Sequence, residues 1–393
     1  MRLLKLKRKS CFSQNSKYSE LKSYRIEITK GSTNLLWDEF VLSLDQTSYQ
    51  QTSAWAKVYE RIGWEVVRII IWQQGLIIGG VQLFVWQLGK FWQIGFIPQG
   101  PCLSNVGSEL STLIIESVKK WGKQESLLYL VWDVNYAYPQ LSSTLVQKKF
   151  QDKINGLPPT AIIRSTSLLD LTKSDDDLVK QMHASRRRNL KKASKYSFDY
   201  KMATRDELPL FFDLMKVMCD RREVKPAFKS LQFYYDTWDA FEAINGIKLF
   251  FAYYNKELVC AMLCFTLGDT FRFWQWGWSG DYGETNITHS LYWYTIKWAR
   301  ENGFEKYDFV QVDPEVAKAY TEDLPMTESL KSTSFYGPTI NKMRWGGEFI
   351  VYPGKYMYVP NVLYRFLLYK FGGKFINGSF MIGLRKRLYG KNK

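Results

Sequence analysis

Histidine is almost missing from this chain: His183 and His289 are the only two in 393 residues. A Ser-His-Asp or Cys-His nucleophilic engine therefore has few places to sit. Neither histidine stands at a metal-ligand spacing, and His289 falls inside a predicted helix where an ordinary structural role suffices. No Walker loop and no G-x-G-x-x-G are present, which removes support for nucleotide-driven ligation and for hydride transfer. The Gln/Arg-x-x-Gly-x-Gly/Ala loop typical of acetyl-CoA binding is also missing; Arg387-Leu-Tyr-Gly390-Lys-Asn comes nearest and ends on the wrong residue. No run reaches the roughly 18 uninterrupted apolar residues that a spanning helix needs. Arg2, Lys5, Lys7, Arg8 and Lys9 look like the start of a signal peptide, but Ser-, Gln- and Asn-bearing sequence follows where the apolar segment belongs. The expectation is a chain neither exported nor embedded. Cysteine is sparse, with an odd count of five at 11, 102, 219, 260 and 264 and no Cys-x-x-Cys pair. That argues against structural zinc and for a reducing compartment, hence a cytoplasmic location. No cofactor and no metal are expected. The chemistry left open is transfer from a substrate that arrives already activated.

Negative charge is in short supply too. Asp and Glu number 38 against 54 Lys and Arg, a net charge of +16, which implies a polyanionic partner: nucleic acid, an anionic membrane surface or a phosphorylated substrate. A hydrophobic fraction of 46% and an aromatic fraction of 17% belong to a folded chain, long enough for two domains with cores of their own.

The same succession of elements occurs twice. EVVRIIIW from Glu65, LIIGGVQLFVW and FWQIGF form one set of three β-rich runs joined by tight polar turns. KLFFAYY from Lys248, LVCAMLCFTL and TFRFWQWGW form the other, and each set reads as an antiparallel meander. A helix follows each: one near 108–122 opening on Ser108 or Ser111, the other with Ile287, Leu291, Tyr294 and Trp298 at helical spacing, an Asn286 or Thr288 cap and Gly303 as stop. Each helix leads to a strand that ends in aspartate, LLYLVWD at Asp133 and EKYDFVQVD with Asp308 and Asp313. Meander, helix and strand repeated in one chain predict an α+β fold built by tandem duplication. Cys260 and Cys264 lie in an apolar strand and are expected to be buried.

Between the copies, Ser174 and three aspartates (175–177) make a strong helix start. This helix is expected to carry Leu178, Met182, Leu190 and Ala193 inward, with Arg186, Arg187, Arg188, Lys191, Lys192 and Lys195 on its outer surface. A second helix, roughly 206–222, places Leu208, Phe211, Phe212, Met215 and Met218 at core spacing.

Several local patterns, in order along the chain, resemble one family. Trp55-Ala56-Lys57, Gly63-Trp64, the Ile97-Pro98-Gln99-Gly100-Pro101 turn, Asp133 at a strand end, Ser185-Arg-Arg-Arg-Asn-Leu-Lys-Lys-Ala193 and Asn341-Lys342-Met-Arg-Trp345-Gly346-Gly347 are similar to motifs of the FemABX family. These are aminoacyl-tRNA-dependent transferases that build peptidoglycan interpeptide bridges, and the resemblance covers roughly residues 50–360. It implies two acetyltransferase-like (GNAT-type) mixed sheets with flanking helices: a basic tail over 1–25, a first domain over 26–164 completed by 346–393, and a second over 165–345. It also implies an aminoacyl-tRNA donor and a lipid-linked or nucleotide-linked muramyl peptide as acceptor.

Carried onto this sequence, the resemblance makes Lys342 and Asp133 the catalytic pair. Aminolysis of an ester needs a stabiliser for the oxyanion, which a lysine between a strand end and a Gly-Gly turn supplies. It also needs a group that receives or orients the acceptor ammonium, the role of Asp133. Lys57, Tyr59, Lys229, Phe233 and Trp276 fall where the family contacts its acceptor, and Arg186, Arg187, Arg188, Lys191 and Lys192 are expected to meet tRNA phosphates. Departures are concentrated at the acceptor side. Tyr59 stands where a second lysine is found, and Lys229-Ser-Leu-Gln-Phe233-Tyr234 replaces Arg-x-x-x-Tyr-[FY], with loss of the guanidinium fork. Phe273-Trp274-Gln275-Trp276 lacks a tyrosine, and Y-D-x-G-G has become Tyr307-Asp308-Phe309-Val310-Gln311. The coiled-coil arm of some members is missing. Competing readings are an acyl-CoA-dependent N-acyltransferase of envelope polysaccharide assembly on the same fold, and a non-catalytic RNA- or membrane-binding protein. The aromatic and basic residues from Asn361 onward have the composition of a segment that sits on anionic lipid, which would place the protein peripherally at the inner face of the plasma membrane.

Overall fold

The computed structural model describes residues 24–45, 48–88, 92–105, 107–151 and 164–366. Nearly all of the basic tail expected over 1–25, and most of the segment that follows Asn361, lie outside the described residues.

The first unit runs β1 (Tyr24–Lys30), α1 (Leu35–Leu42), α2 (Ser53–Arg61), β2 (Glu65–Gln73), β3 (Leu76–Leu88), β4 (Trp92–Gly100), β5 (Cys102–Leu103), α3 (Ser108–Gln124), β6 (Leu127–Val134) and α4 (Leu141–Gln147). The second runs β7 (Ser165–Asp170), α5 (Asp175–Gln181), α6 (Ala184–Ala193), β8 (Asp199–Ala203), α7 (Leu208–Arg221), α8 (Leu231–Glu242), β9 (Ile247–Tyr254), β10 (Glu257–Leu267), β11 (Thr270–Trp278), α9 (Ile287–Glu301), β12 (Lys306–Asp308), α10 (Pro314–Thr321), α11 (Glu328–Lys331), α12 (Tyr336–Met343) and β13 (Glu348–Val351). β14 (Gly354–Tyr358) follows.

Two separate mixed sheets result, and they have one plan. The first has the order β1-β2-β3-β4-β6-β14 with β5 beside β3; the second, taken from its far edge, reads β8-β9-β10-β11-β12-β7-β13. In each, a meander is followed by a helix and a strand that returns parallel to the last meander strand, β4 with β6 and β11 with β12, and every other pairing is antiparallel. The fold is the tandem duplication that the repeated run of elements predicted. β13 still belongs to the second sheet, pairing with β7, so the return to the first sheet comes with β14 against β6 rather than at 346.

The near-continuous apolar runs of the central strands reflect cover on both faces. Val67, Ile69 and Ile71 of β2 pack with Ile114, Ile115 and Val118 of α3 in one core. Val66, on the opposite face, joins a core shared by both units, in which Tyr49, Trp55 and Phe84 meet Phe211, Met215, Phe241, Leu249 and Phe265. The Met and Phe stripe of α7 is packing, with Phe211, Met215 and Met218 buried. Cys260 and Cys264 are fully buried in β10.

Local starts and stops follow the side chains, with three corrections. Ser174 caps α5 by accepting from the Asp177 N–H. The basic stretch is not one helix: Met182 is extended (ψ 147), and His183 restarts the chain as the cap of α6, its ring accepting from the Ser185 N–H. Asn286 precedes α9 in a left-handed conformation without a side-chain cap, and α3 starts at Ser108 behind Gly107. The strand expected over 305–313 pairs only through Lys306–Asp308.

Candidate active site

The short pairing of β12 opens the site. β11 matches it only from Thr270 to Arg272 and then runs on to Trp278, while the other strand ends at Asp308. A wedge is left between the two, next to the Phe309–Val312 segment. The corresponding junction of the first unit loses register between Ile97 and Gly100 on β4.

Lys342 closes the wedge of the second unit. It stands in the last turn of α12, not between a strand end and a turn as the sequence suggested. Its Nζ donates to the Val310 carbonyl at 2.8 Å and the Gln311 carbonyl at 3.0 Å, and lies 5.4 Å from the centre of the Phe273 ring. Only 9% of the residue is exposed. Burial pushes the ammonium down to about 7; Asp308 works against that shift and Arg222 adds to it. An ammonium has three donors, so two carbonyls leave one N–H for a ligand. The Gly346-Gly347 pair after the helix is steric: a Cβ would meet the Gln181 carbonyl oxygen at 2.5 Å in one case and Ser167 Oγ at 2.5 Å in the other.

Asp133 and Asp308 occupy matching strands of the two units, and both are buried. Asp133 accepts from Gln99 Nε2 at 2.8 Å and lies opposite Lys355 in the β6–β14 register. Burial raises its carboxyl above the usual range despite Lys355 and Gln99, and burial likewise lowers Lys355. Asp308 binds Arg272 Nε at 2.8 Å, the Val310 N–H at 2.8 Å and the Thr166 hydroxyl. Arg272 in turn lies 5.3 Å over the Tyr49 ring of the first unit. Tyr49 and Tyr352, both buried and both raised mainly by desolvation, feel Asp308 and Asp133 together. The two aspartates thus face one polar seam between the sheets.

The other expected residues divide into groups. Trp276 belongs with Lys342: its ring is 6.5 Å from Phe273 and 6.1 Å from the buried Tyr292. Tyr59 and Phe233 line the aromatic seam of the shared core, 5.4 Å and 6.3 Å from Trp55, which also meets Trp274. Lys57 is half-buried on α2, where its charge acts on Asp38. Lys229 is exposed, next to Phe228, which stacks on Phe233 at 4.0 Å.

Arg186 is not on the outer surface. It is 2% exposed, donates to the Asn341 carbonyl and side chain, and stacks 4.6 Å over Trp345. α6 packs against α9, and the inward-pointing arginine of the triple ties it to Asn341, the residue preceding Lys342. Arg187, Arg188, Lys191 and Lys192 do face solvent, although Arg187 also donates to the carbonyls of Lys180 and Met182. Arg272, Tyr49, Gln99 and Lys355 were missed as site residues: Gln99 lies in the Ile97–Pro101 turn pattern, while Arg272, Lys355 and Tyr49, the last in a 3-10 turn ahead of α2, have no local signature. Asp308 was visible only as a strand-ending aspartate. Among the described residues no group of His, Cys, Asp and Glu is arranged to hold a metal ion.

The fold and site define a class in which two mixed-sheet units of one plan are fused around one polar seam. The model of the FemAB family matches residues 33–263, and the chain belongs to that family. It is 24% identical over 225 residues to the lipid II:glycine glycyltransferase of Staphylococcus aureus (strain MRSA252), an alignment covering 56% of this chain and 53% of that one. With the aminoacyltransferase FemA of Staphylococcus aureus it shares 28% identity over 166 residues, 37% of this chain and 39% of the relative. The chain thus spans about half or less of the length of these curated relatives. The crystal structure of FemX superimposes with a TM-score of 0.73 at 19% identity, covering 87% of this chain and 99% of the other, a likeness of fold.

Proposed function

We propose that this protein is a Fem-type aminoacyltransferase that moves an amino acid from aminoacyl-tRNA to an amine of a muramyl-peptide precursor of peptidoglycan. The observation that carries the reading is the Lys342 ammonium, fixed on two carbonyls at the opening between β11 and β12 with one donor to spare. In the reaction the acceptor amine attacks the ester carbonyl carbon and a C–N bond forms. The carbonyl oxygen takes up negative charge, the C–O bond to the ribose breaks, and the ribose hydroxyl leaves with a proton that originates on the amine. Lys342 faces the oxyanion, where a preorganised cation is worth most. Asp133, a carboxylate whose pKa burial raises, orients the acceptor ammonium and takes its proton. The exposed Arg187, Arg188, Lys191 and Lys192 of α6 supply phosphate contacts for the donor. The family to which the chain belongs and the names of its relatives support this reading, as does the missing pyrophosphate loop against an acyl-CoA donor.

The test is transfer in a purified system. Activity is expected with aminoacyl-tRNA, to vanish with ribonuclease, and to gain nothing from acetyl-CoA. Lys342→Met is expected to lower turnover by about 10²-fold or more, the scale on which single oxyanion donors act. Ribonuclease-resistant transfer driven by acetyl-CoA would reject the donor, and full activity in Lys342→Met would reject the residue.

A further inference from the structure

We propose that Asp308 is the positioning residue of this site: through the Val310 N–H it fixes the left-handed turn whose two carbonyls hold the Lys342 ammonium. The inference rests on the role given to Lys342 above.

The turn needs an anchor. Val310 and Gln311, whose carbonyls hold Nζ, have φ of +44° and +34°. Left-handed backbone is costly for side-chain-bearing residues, most of all for a β-branched one, and persists only where the surroundings over-determine it. What holds it is Asp308, whose Oδ1 takes the Val310 N–H at 2.8 Å and the Thr166 hydroxyl while Oδ2 takes Arg272 Nε at 2.8 Å. Every contact of this carboxylate is internal, and its residue is fully buried. Three elements therefore define the position of one side chain: β7 through Thr166, β11 through Arg272 and the turn through Val310.

The charge argument is separate. The charged groups that act on Lys342 among the described residues are Asp308, at the end of β12, and Arg222, just past the end of α7. Arg222 disfavours a second cation, so of these two groups Asp308 is the one whose charge favours the ammonium against the effect of burial.

The decisive measurement is the titration of Lys342 itself, followed by acetic anhydride labelling of Nζ against pH with peptide mass spectrometry. In Asp308→Ala/Arg272→Gln the buried pair is removed without leaving an orphan charge and the Val310 N–H loses its acceptor, whereas Asp308→Asn/Arg272→Gln keeps that acceptor. The labelling midpoint of Lys342 is expected to fall by about one pH unit or more in the alanine variant relative to the asparagine one, because the carbonyls that bond the charged form are no longer fixed. A merely structural role for Asp308 predicts lower stability and the same midpoint in both variants, and that result would overturn the proposal. Asp308→Ala and Asp308→Asn singly carry the same comparison where the double variants do not fold. Labelling does not depend on turnover. A wild-type chain that transfers nothing would count against the proposed function, while an unmoved midpoint counts against this inference alone.

Discussion

At the scale of single residues, Lys342 has a cost as well as a use. Its ammonium sits near 7 in the folded protein, against an ordinary value of 10.5. Between those limits the unfolded chain holds more protons than the folded one, so stability rises with pH across the window. Below it, the buried charge is a full burden. Lys342→Met removes this dependence, and the stability of the wild type relative to the variant is expected to grow from pH 7 to pH 10. The slope reaches at most about 1.4 kcal/mol per pH unit. Chemical denaturation of both proteins at several pH values measures it, and parallel curves would show that the amine is solvated after all. The strained turn gives a second expectation. Gln311 is only half-buried at a φ of +34°, so Gln311→Gly should raise stability by about 0.5–1 kcal/mol. A lower melting temperature would mean that the glutamine side chain contributes more than its backbone costs.

Among the elements, α6 decides how the basic charge is used. Its hydrophobic contacts turn Arg186 inward against Trp345 and leave Arg187, Arg188, Lys191 and Lys192 outside. If this face meets donor phosphates, Arg187→Glu/Arg188→Glu should weaken RNA binding and flatten its salt dependence. Each phosphate contact adds about 0.9 to the log–log slope on duplex nucleic acid. Arg186→Lys should leave that slope where it is, because the side chain never reaches solvent. Binding titrations at graded salt separate the two, and equal slopes for wild type and the glutamate pair would assign the helix no nucleic-acid role. The break at Met182 and His183 matters here as well. It lets α6 start afresh beside the Arg344 carbonyl, which accepts from the His183 N–H at 3.0 Å, and so sets the helix against the segment that carries Lys342.

For the whole molecule, the shared core makes the two units one cooperative structure. Trp55 is 3% exposed and meets Phe233 and Phe265 edge-on across the junction. Trp55→Ala should cost about 3–5 kcal/mol, the usual range for a large core aromatic, and should lower a single unfolding transition rather than split it. Two separate calorimetric transitions in the wild type would contradict a common core. Beyond β14, Val362, Leu363 and Phe366 are 73%, 62% and 56% exposed, beside Arg365. In a chain of net charge +16, this is a surface suited to anionic lipid. Replacing the three by serine is expected to reduce flotation with phosphatidylglycerol vesicles; unchanged flotation would remove this patch from any membrane contact. No helix among the described residues is long and apolar enough to cross a membrane.

The linear order of strands, turns and helices was enough to determine the duplication, because each unit repeats a period-2 meander followed by a period-3.6 helix and each pattern is local. The same locality made the Ser174 cap, the α7 stripe and the buried Cys260 and Cys264 readable. Lys342 and Asp133 were named from motifs; what tertiary structure added is their surroundings. The depth of Lys342, its two carbonyl partners and the Asp308 that fixes their turn depend on where β12 stops pairing, and hydrogen bonding between distant strands sets that point. Arg186 reads as one of three equivalent arginines until the packing of α6 on α9 turns it inward and gives it Trp345 as an aromatic partner. In the seam, Asp133 and Asp308 could be read as strand-ending aspartates, but Tyr49, Arg272 and Lys355 had no signature, since they are separated from them by long stretches of chain. The sequence specified which elements form and in what order; only their packing decided which charges are buried together, because burial and electrostatic pairing are properties of distance in space.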